Sequence, residues 1–338
     1  MATYKGIQGY SVKNLSSDPT TTENIGRLWY NSGSGKFKIA VQGPGTWSSG
    51  TNCPTLLIAS YGAGTKTAGL IYGGYTTGPS PNQTATFEYD GSTWTTGGAL
   101  NTGRQSGAST GTQTAGLCMG GSVGPGPGGV NGSVEEYNGA SWSTETSLTA
   151  SRGSGSGIGT TTAAQCAGGG TPANGAFTEV EFWNGTGWTE GADMSTGRRA
   201  AGGFGISTAS GVGGGVTEPG SIATDKTEIY NGTSWTEVAV MNYGRTYSQS
   251  TGVSNTAGIQ AGGNSAGGAN VTKTEIWNGT SWTEVADLAT GRTDGGGGRT
   301  GSSTESFFVS TGNLLPGWSQ ATEEWADPVI GNKIVTVS

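Results

Sequence analysis

The chain has 338 residues, of which 67 are glycine, and its 16 Lys and Arg against 23 Asp and Glu give a net charge of −7. An acidic chain without a basic run is a poor candidate for binding nucleic acid. The chain has no histidine, which excludes Ser-His-Asp and Cys-His catalysis and histidine-ligated metal sites.

The first 46 residues lack the repeat that fills the rest of the chain. They begin with MATYKGIQGYSVKN, which has no apolar segment of the kind found in signal peptides. No window of the chain approaches the roughly 18 apolar residues of a transmembrane helix, so we expect no membrane insertion. Further on, RLWYNSGSGKFKIAV at 27–41 has the pattern of two strands joined by a turn.

The same segment contains GRLWYNS at 26–32, followed by KFK at 36–38. Over residues 20–48 this pattern resembles a short module of tail-fibre-like and other virion proteins of tailed bacteriophages, notably phages of aquatic bacteria and cyanobacteria. There the module often precedes β repeats rich in Gly, Thr and Ser. The resemblance implies a virion protein that is assembled in the host cytoplasm. It also implies that residues 1–46 attach the remainder to other virion proteins.

After residue 47 one phrase returns five times: Glu, an apolar residue, Tyr or Trp, Asn or Asp, Gly, two small residues and Trp. The copies are FEYDGSTW at 87–94, EEYNGASW at 135–142, EFWNGTGW at 181–188, EIYNGTSW at 228–235 and EIWNGTSW at 275–282. The first copy has Phe87 where the others have Glu. The phrases close on Trp94, Trp142, Trp188, Trp235 and Trp282, which lie 48, 46, 47 and 47 residues apart. A near-constant period of this length indicates a repeat architecture.

One period predicts four short strands. In 104–146, the small residues RQSGAST precede the apolar strand TAGLCMGG, a loop rich in Gly and Pro, and VEEYNGASWSTET, whose Asn-Gly dipeptide favours a hairpin. Four strands in about 47 residues match one blade of a β-propeller, in which small residues let the innermost strands converge and aromatic residues fill the space between blades. We therefore predict two domains, an N-terminal attachment segment over 1–46 and an all-β propeller over 47–338.

Each period also places a double glycine ahead of an aromatic residue and the Trp. The double glycines are Gly73-Gly74, Gly120-Gly121, Gly168-Gly169, Gly214-Gly215 and Gly262-Gly263. The aromatic residues are Tyr89, Tyr137, Trp183, Tyr230 and Trp277. Over residues 50–326 this pattern resembles the kelch repeat. The resemblance implies a propeller and says little about function, because kelch propellers serve as enzymes, adaptors and binding modules.

Five blades begin near residues 55, 104, 152, 198 and 245, and a degenerate sixth begins at Arg292. In the sixth, Thr311-Gly312 replaces the double glycine and Trp325 takes the aromatic place without an Asn-Gly turn. We predict six four-stranded blades, or seven if the hairpin at 27–41 belongs to another. Two segments are candidates for the strand that closes the sixth blade: KIVTVS at 333–338 and the N-terminal hairpin.

The cysteines, Cys53, Cys118 and Cys166, have no metal-like spacing, and their odd number predicts buried free thiols. We expect no metal and no cofactor. The Asn-Gly-Thr sequons recur in step with the repeat, which predicts turns instead of glycosylation sites. The segment from Asp90 to Trp94 is similar to a sialidase Asp-box. It is one residue short, however, and the other copies have Asn, so we interpret it as a tight turn.

Arginines and glutamates also recur in register. They are Arg104, Arg152, Arg198, Arg245 and Arg292, with Glu135, Glu181, Glu228, Glu275 and Glu323. A glycosidase pair would break the symmetry of the repeat, so the register indicates a repeated structural contact between the two series. In this interpretation each Arg bridges to the backbone or to a Glu of the next blade. The alternative is a ring of arginines at one channel mouth that binds an anion or acidic sugar, for which Arg198 and Arg245 are the candidates.

Ligand contacts are expected where the blades differ, in the loops that follow each double glycine. Tyr75 is the only aromatic residue in these loops, and Tyr243 and Tyr247 break the pattern around Arg245. We therefore take these three tyrosines as candidate ligand contacts, beside the two arginines. No residue is predicted to be catalytic.

Together these features predict a non-enzymatic phage virion protein on a tail fibre, a tail tip or the capsid surface, multimeric in the particle. Its propeller would be displayed rigidly, for binding a glycan on the host surface or for docking on neighbouring virion subunits. The alternatives are a carbohydrate-binding or scaffolding propeller of a bacterium and, less favoured, a glycan-cleaving enzyme.

Overall fold

The computed structural model describes residues 12–19, 27–42, 45–76, 82–124, 129–219, 222–297, 306–326 and 330–335. Over these residues the chain consists of β-strands and turns without an α-helix, so the predicted all-β class is confirmed. The chain divides into two compact units. One consists of residues 1–46 and 327–338, and the other of residues 47–326.

The smaller unit contains one four-stranded sheet. Its strands, in spatial order, are Lys13–Leu15, Leu28–Asn31, Lys36–Gln42 and Ile330–Ile334. The two middle strands form the hairpin predicted at 27–41, and the C-terminal strand pairs antiparallel with its second strand. The Asp18 carboxylate accepts hydrogen bonds from Asn31 Nδ2 at 2.5 Å and Lys38 Nζ at 2.7 Å. Residues 327–338, which we assigned to the propeller from sequence, thus group with the N-terminal segment.

The described residues of the larger unit form six four-stranded sheets, which we number one to six along the chain. Sheet one has strands Tyr61–Thr65, Ala68–Tyr72, Thr86–Tyr89 and Trp94–Thr96. Sheet two has Ala108–Thr112, Ala115–Ser122, Val130–Tyr137 and Trp142–Glu145. Sheet three has Ser156–Gly159, Ala164–Ala167, Val180–Trp183 and Trp188–Glu190. Each is an antiparallel sheet built from consecutive parts of one repeat.

Sheet four has strands Gly202–Ile206, Ala209–Gly213, Thr227–Tyr230 and Trp235–Glu237. Sheet five has Gln249–Ser254, Ala257–Ala261, Thr274–Trp277 and Trp282–Glu284. Sheet six has Gly296–Gly297, Phe308–Ser310, Thr322–Ala326 and Thr46–Gly50. Three short strand pairs add to these: Gly170–Thr171 with Gly175–Ala176, Val216–Thr217 with Ile222–Ala223, and Arg245–Thr246 with Asn264–Ser265.

The repeated Asn-Gly dipeptide forms the turn between the third and fourth strands, as predicted. In sheet three, Asn184 Oδ1 accepts hydrogen bonds from the backbone N–H groups of Thr186 and Gly187, both at 3.0 Å. Gly185, which lies between Asn184 and Thr186, has a φ of +92°, and this backbone conformation favours glycine. The same contacts recur at Asp90, Asn138, Asn231 and Asn278.

The double glycine allows two backbone segments to approach closely. Gly168 and Gly169 have φ values of +61° and +85°. A Cβ atom at Gly168 would lie 2.4 Å from the carbonyl oxygen of Arg198, and one at Gly169 would lie 2.7 Å from that of Gly153. No larger side chain fits at either position without moving the backbone.

The fourth strand of sheet six comes from Thr46–Gly50, beside the strand Thr322–Ala326. Both closing segments that we predicted, the C-terminal strand and the N-terminal hairpin, are therefore wrong. Trp47 in this strand packs on Trp325 at a ring-centroid distance of 5.4 Å, as Trp282 packs on Trp277 at 5.6 Å in sheet five. Trp47 Nε1 also donates to Thr274 Oγ1 of the preceding sheet, as Trp282 Nε1 donates to Thr227 Oγ1. Trp47 is thus the missing Trp of the sixth repeat.

The first strand of each sheet contacts the first strand of the next, and the first strand of sheet six contacts that of sheet one. Apolar side chains fill the space between adjacent sheets. For example, Leu117 and Met119 of sheet two share a buried cluster with Cys166 and Trp188 of sheet three. All three cysteines are buried and free, as predicted. This arrangement of four-stranded sheets is compatible with a β-propeller.

Candidate functional site

The two repeated charge series form buried ion pairs. Arg152 Nη2 lies 2.7 Å from Glu181 Oε1, and each side chain is at most 2% exposed. The corresponding pairs are Arg104–Glu135, Arg198–Glu228, Arg245–Glu275 and Arg292–Glu323. The predicted structural contact between the series is confirmed. The expectation that each Arg reaches a Glu of the next blade is wrong, because both partners of each pair belong to the same sheet's repeat.

Each ion pair also holds the backbone around it. Arg152 Nη1 donates to the carbonyl of Gly168, the first residue of the double glycine, at 3.0 Å, and to that of Glu179 at 2.9 Å. The Glu181 carboxylate accepts the backbone N–H groups of Thr149 and Ala150, at 2.6 and 3.1 Å, in the segment that arrives from sheet two. The pair therefore fixes the connection between two sheets, just before the chain enters the first strand of the next.

Two residues after each arginine, and two after Leu57 in sheet one, the chain adopts a left-handed backbone. The six residues at this position are Ala59, Ser106, Ser154, Ala200, Tyr247 and Asp294, with φ values between +51° and +56°. None is glycine, and a non-glycine residue in this region is strained. The same strain at six equivalent positions indicates that the surrounding structure imposes it.

These six residues are joined by a closed cycle of backbone hydrogen bonds. The N–H of Ser106 donates to the carbonyl of Ala59 at 3.0 Å, and the pattern passes from sheet to sheet to Asp294, whose N–H donates to Tyr247 at 3.3 Å. The N–H of Ala59 then donates to the carbonyl of Asp294 at 2.8 Å, which completes the cycle. We call this set of six residues the mouth ring.

The mouth ring and the residues that follow it line a small pocket of about 40 Å³. Four of the six ring side chains are Ala or Ser, so Tyr247 and Asp294 alone break the symmetry. Gln249 also lines the pocket; it is 3% exposed, and its Oε1 atom has no hydrogen-bond partner in the part of the chain that the structure describes. A buried polar atom without a partner is costly and is expected to meet a donor.

Two tyrosines lie close to the Asp294 carboxylate. Burial and, next, this carboxylate raise the pKa of Tyr75. The same two causes raise the pKa of Tyr247, while Arg199 and a hydrogen bond with Ser154 act in the opposite direction. The pocket therefore brings together a carboxylate, the Tyr247 phenol and serine hydroxyls, a combination suited to binding polar groups by hydrogen bonds.

The predicted contact residues are thus divided. Tyr247 lines the pocket and Tyr75 lies near Asp294. Tyr243 lies apart from these, donating its hydroxyl to Glu284 Oε2 at 3.0 Å, with Lys273 Nζ 5.4 Å from its ring centre. Arg198 and Arg245 are 1% and 0% exposed and engaged in ion pairs, so neither guanidinium is accessible to an anion from solution.

Sequence reasoning missed Asp294 and Gln249. A signal for Asp294 was present, because it stands two residues after Arg292 and so aligns with Tyr247, two after Arg245. Gln249 gave no such signal, because its place in the pocket depends on the direction in which its side chain leaves the first strand of sheet five.

Compared with known proteins, the chain matches no protein-family model and no curated protein. Among the described residues, no helix is long and apolar enough to cross a membrane. Within the same ranges, no three His, Cys, Asp or Glu side chains are grouped so that they could hold a metal ion.

Proposed function

We propose that the six sheets are the blades of a closed, six-bladed, kelch-like β-propeller. The cycle of backbone hydrogen bonds in the mouth ring supports this, because it returns from Asp294 in sheet six to Ala59 in sheet one. The placement of Thr46–Gly50 as the fourth strand of sheet six supports it as well, since it leaves no sheet short of a strand. On this proposal the mouth ring surrounds one end of the central channel.

We propose further that the protein is a non-enzymatic virion component of a tailed bacteriophage, which displays this rigid ring for binding a glycan on the host surface. The observation that carries binding is the break in symmetry at the mouth ring. A purely architectural ring has no need for Tyr247 and Asp294 where the other copies have Ala or Ser. Membership of a virion rests on the resemblance of residues 20–48 to the phage module.

The buried ion pairs disfavour the alternative of a glycan-cleaving enzyme. Glycosidases use two carboxyl groups that face the substrate. The five glutamates in register are each buried against an arginine, so they are not available as such a pair. Among the described residues that line the pocket, Asp294 is the one carboxylate. Binding without cleavage is the function that this geometry favours.

Binding is tested with variants of the mouth ring on host cells. Tyr247→Ala and Asp294→Ala should each weaken cell binding roughly tenfold or more, because contact residues at the centre of a site carry most of the affinity. Both variants should fold, since Ala59 and Ala200 already hold alanine in the same backbone conformation. Ser143→Ala, at an exposed position of an outer strand, is the control. Unchanged binding by both ring variants would refute the mouth ring as the binding site and favour docking on virion subunits through another surface.

Virion membership is tested by mass spectrometry of purified particles, which should contain the protein. Attachment is tested by removing both parts of the smaller unit, residues 1–44 and 327–338, because the C-terminal strand pairs with the N-terminal hairpin. We expect the truncated protein to keep its thermal unfolding transition and to be absent from particles. Normal incorporation of the truncated protein would remove the attachment role. If the protein is found only outside the particles, the alternative of a carbohydrate-binding or scaffolding propeller of a bacterium is favoured.

A further inference from the structure

Sheets two to six each carry a short row of three paired residues beside the mouth ring. In sheet six the row consists of Thr293, which follows the repeated arginine, Asn313, which follows the double-glycine position, and Trp318, near the end of the loop. Residues that pair directly in antiparallel strands place their side chains on the same face. The first residue of each row is followed in the chain by a mouth-ring residue, so the rows border the ring.

The rows depart from one another most in sheets five and six. Rows two, three and four end on a small or apolar residue, namely Val130, Ala176 and Ala223. The corresponding residues of rows five and six are Asn270 and Trp318. Sheet five also supplies Tyr247, which breaks the symmetry of the mouth ring. The departures from the repeat are thus concentrated on two neighbouring sheets.

Trp318 differs in its surroundings from every other tryptophan of the chain. All eleven tryptophans lie in the described ranges, and Trp318, at 49%, is the only exposed one. Trp282, for example, is buried between sheets and donates its indole N–H to Thr227 Oγ1. A tryptophan that remains in water contributes little to a hydrophobic core. The core therefore gives no reason for the size of this side chain.

The loop that carries Trp318 is held by its own hydrogen bonds. The Leu314 N–H donates to the Gly317 carbonyl at 2.8 Å, and the Ser319 N–H donates to the Gly312 carbonyl at 2.8 Å. The Asn313 Oδ1 atom accepts the Leu315 N–H at 3.0 Å. A loop fixed in this way presents the indole ring at a small entropic cost of binding.

The register directs Trp318 towards sheet one. Its equivalent in sheet five, Asn270, reaches the next sheet, where its Nδ2 group donates to the Asn313 carbonyl at 2.6 Å. In sheet one, Tyr75 has the place that Asn313 has in sheet six, since it follows the double glycine and pairs with the residue before the mouth ring. Two aromatic side chains thus stand at the junction of sheets six and one.

Polar atoms of rows five and six have hydrogen-bonding capacity to spare. In the described part of the chain, Asn264 Oδ1, Asn270 Oδ1 and Thr293 Oγ1 are buried and have no hydrogen-bond partner. Such atoms are expected to meet a donor, either directly or through a water molecule. A ligand that carries several hydroxyl groups would supply donors and acceptors to both rows.

The surface around Trp318 suits a small polar ligand better than a protein partner. Its exposed apolar side chains in this loop are Trp318 and Leu315. A stable protein interface buries about 800 Å² on each partner, far more than two side chains provide. A sugar ring needs only one aromatic face for its C–H groups, with amides and hydroxyls beside it for its own hydroxyl groups.

We propose that Trp318 is a stacking platform for a sugar ring of the host-surface glycan, with rows five and six supplying hydrogen bonds to the sugar hydroxyl groups. The bound glycan then extends along sheets five and six, next to Tyr247 of the mouth ring. This inference deepens the glycan-binding function proposed above and rests on it.

The test measures binding of the full-length protein and its variants to host cells. Trp318→Ala should weaken binding about tenfold or more, because exposed aromatic anchors carry much of the affinity of a site. Trp318→Tyr, which keeps an aromatic face, should retain most of the binding. Asn313→Asp keeps the acceptor for the Leu315 N–H and removes the amide donor, so it should weaken binding as well. Ile222→Ala is the control, because Ile222 is an equally exposed apolar residue (59%) in the corresponding loop of sheet four.

Periodate treatment of the cells identifies the chemistry of the partner. Periodate cleaves the vicinal diols of sugars, so treated cells should no longer bind the wild-type protein. If treated cells bind it as before, and Trp318→Ala still abolishes that binding, the platform contacts a protein and the inference is overturned.

The mouth-ring variants separate this inference from the proposed function. If Trp318→Ala binds cells as the wild type does while Tyr247→Ala does not, the platform is refuted and glycan binding at the mouth ring stands. If Trp318→Ala and Ile222→Ala weaken binding equally, the effect is not specific to the platform, and the inference is refuted in that case too.

Discussion

At the scale of single residues, sheet one shows how the buried ion pair can be replaced. It has Leu57 where the other repeats have Arg and Phe87 where they have Glu. Both side chains are buried and belong to one apolar cluster with Ile71 and Phe308. The two substitutions occur together, as expected if a buried charge is tolerated only beside its partner.

This comparison leads to a prediction for sheet four. Arg198→Leu should lower the free energy of unfolding by about 3–5 kcal/mol, because it leaves the Glu228 carboxylate buried without a counter-charge. Adding Glu228→Phe, which reproduces the pair in sheet one, should recover most of that loss. Urea denaturation measures both values.

The neighbouring residue supplies the control for this prediction. Arg199→Leu removes a partly exposed ion pair with Glu218 and should cost about 0–1 kcal/mol. A double variant as unstable as Arg198→Leu alone would contradict the interpretation. It would mean that the arginine acts mainly through its bonds to backbone carbonyls and not through the glutamate.

At the scale of elements, neighbouring sheets are joined by hydrogen bonds between a tyrosine and a glutamate. The Tyr137 hydroxyl of sheet two donates to Glu88 Oε1 of sheet one at 2.5 Å. The Tyr89 hydroxyl of sheet one donates to Glu324 Oε1 of sheet six in the same way. Burial, followed by the bonded carboxylate, raises the pKa of each tyrosine to about 12.

These contacts predict a loss of stability in alkaline solution. A tyrosine whose pKa is raised in the folded state stabilises fully below its unfolded pKa of about 10, and the contribution is lost as the pH rises towards 12. The free energy of unfolding should therefore fall between pH 10 and 12. In the double variant Tyr89→Phe/Tyr137→Phe this fall should be smaller, as chemical denaturation at pH 9 and 11 would measure.

Tyr243→Phe is the matched control. The Tyr243 hydroxyl donates to Glu284, whose side chain is partly exposed, and so differs from the two hydroxyls that bond a glutamate of a neighbouring sheet. The stability of this variant should depend on pH as that of the wild type does. If the free energy of unfolding of the double variant falls with pH as steeply as that of the wild type, other buried groups, such as Tyr61, account for the alkaline loss of stability.

Elements held by local chemistry were predictable from the sequence, and those held by distant pairing were not. The turns at Asn138 and its equivalents follow from dipeptides that act within four residues. The sixth Trp was missed because the phrase is divided between Trp325 and Trp47, at opposite ends of the unit, with no turn between them to reveal the pairing. The mouth ring was missed for another reason. Serine, alanine and tyrosine give no sequence signal for a left-handed backbone that tertiary contacts impose, and they occupy five of the six positions.

At the scale of the whole molecule, Trp47 should stabilise far more than its own strand. Trp47→Ala should reduce the free energy of unfolding by about 3 kcal/mol, at the lower end of the range for a buried Trp because the side chain is only half-buried. The loss should appear in a single transition that includes all six sheets, because the strand joins the first and last of them. Calorimetry would measure both the shift and the number of transitions.

Trp318→Ala provides the comparison, since this side chain is 49% exposed and should contribute within about 0.5 kcal/mol. Two separate transitions in the Trp47 variant, one for sheet six and one for the remainder, would show that the ring does not unfold as a unit.

The strand Thr46–Gly50 also determines the order in which the molecule can be completed during synthesis. It leaves the ribosome before any of the six sheets, yet its partner Thr322–Ala326 is made after all the other strands of the unit. Sheets one to five can form as each repeat emerges, because their four strands are consecutive. The early strand has to wait, with Trp47 lacking its aromatic partner, until all six repeats have been made. The segment that is translated first in this unit is thus the one that finishes folding last.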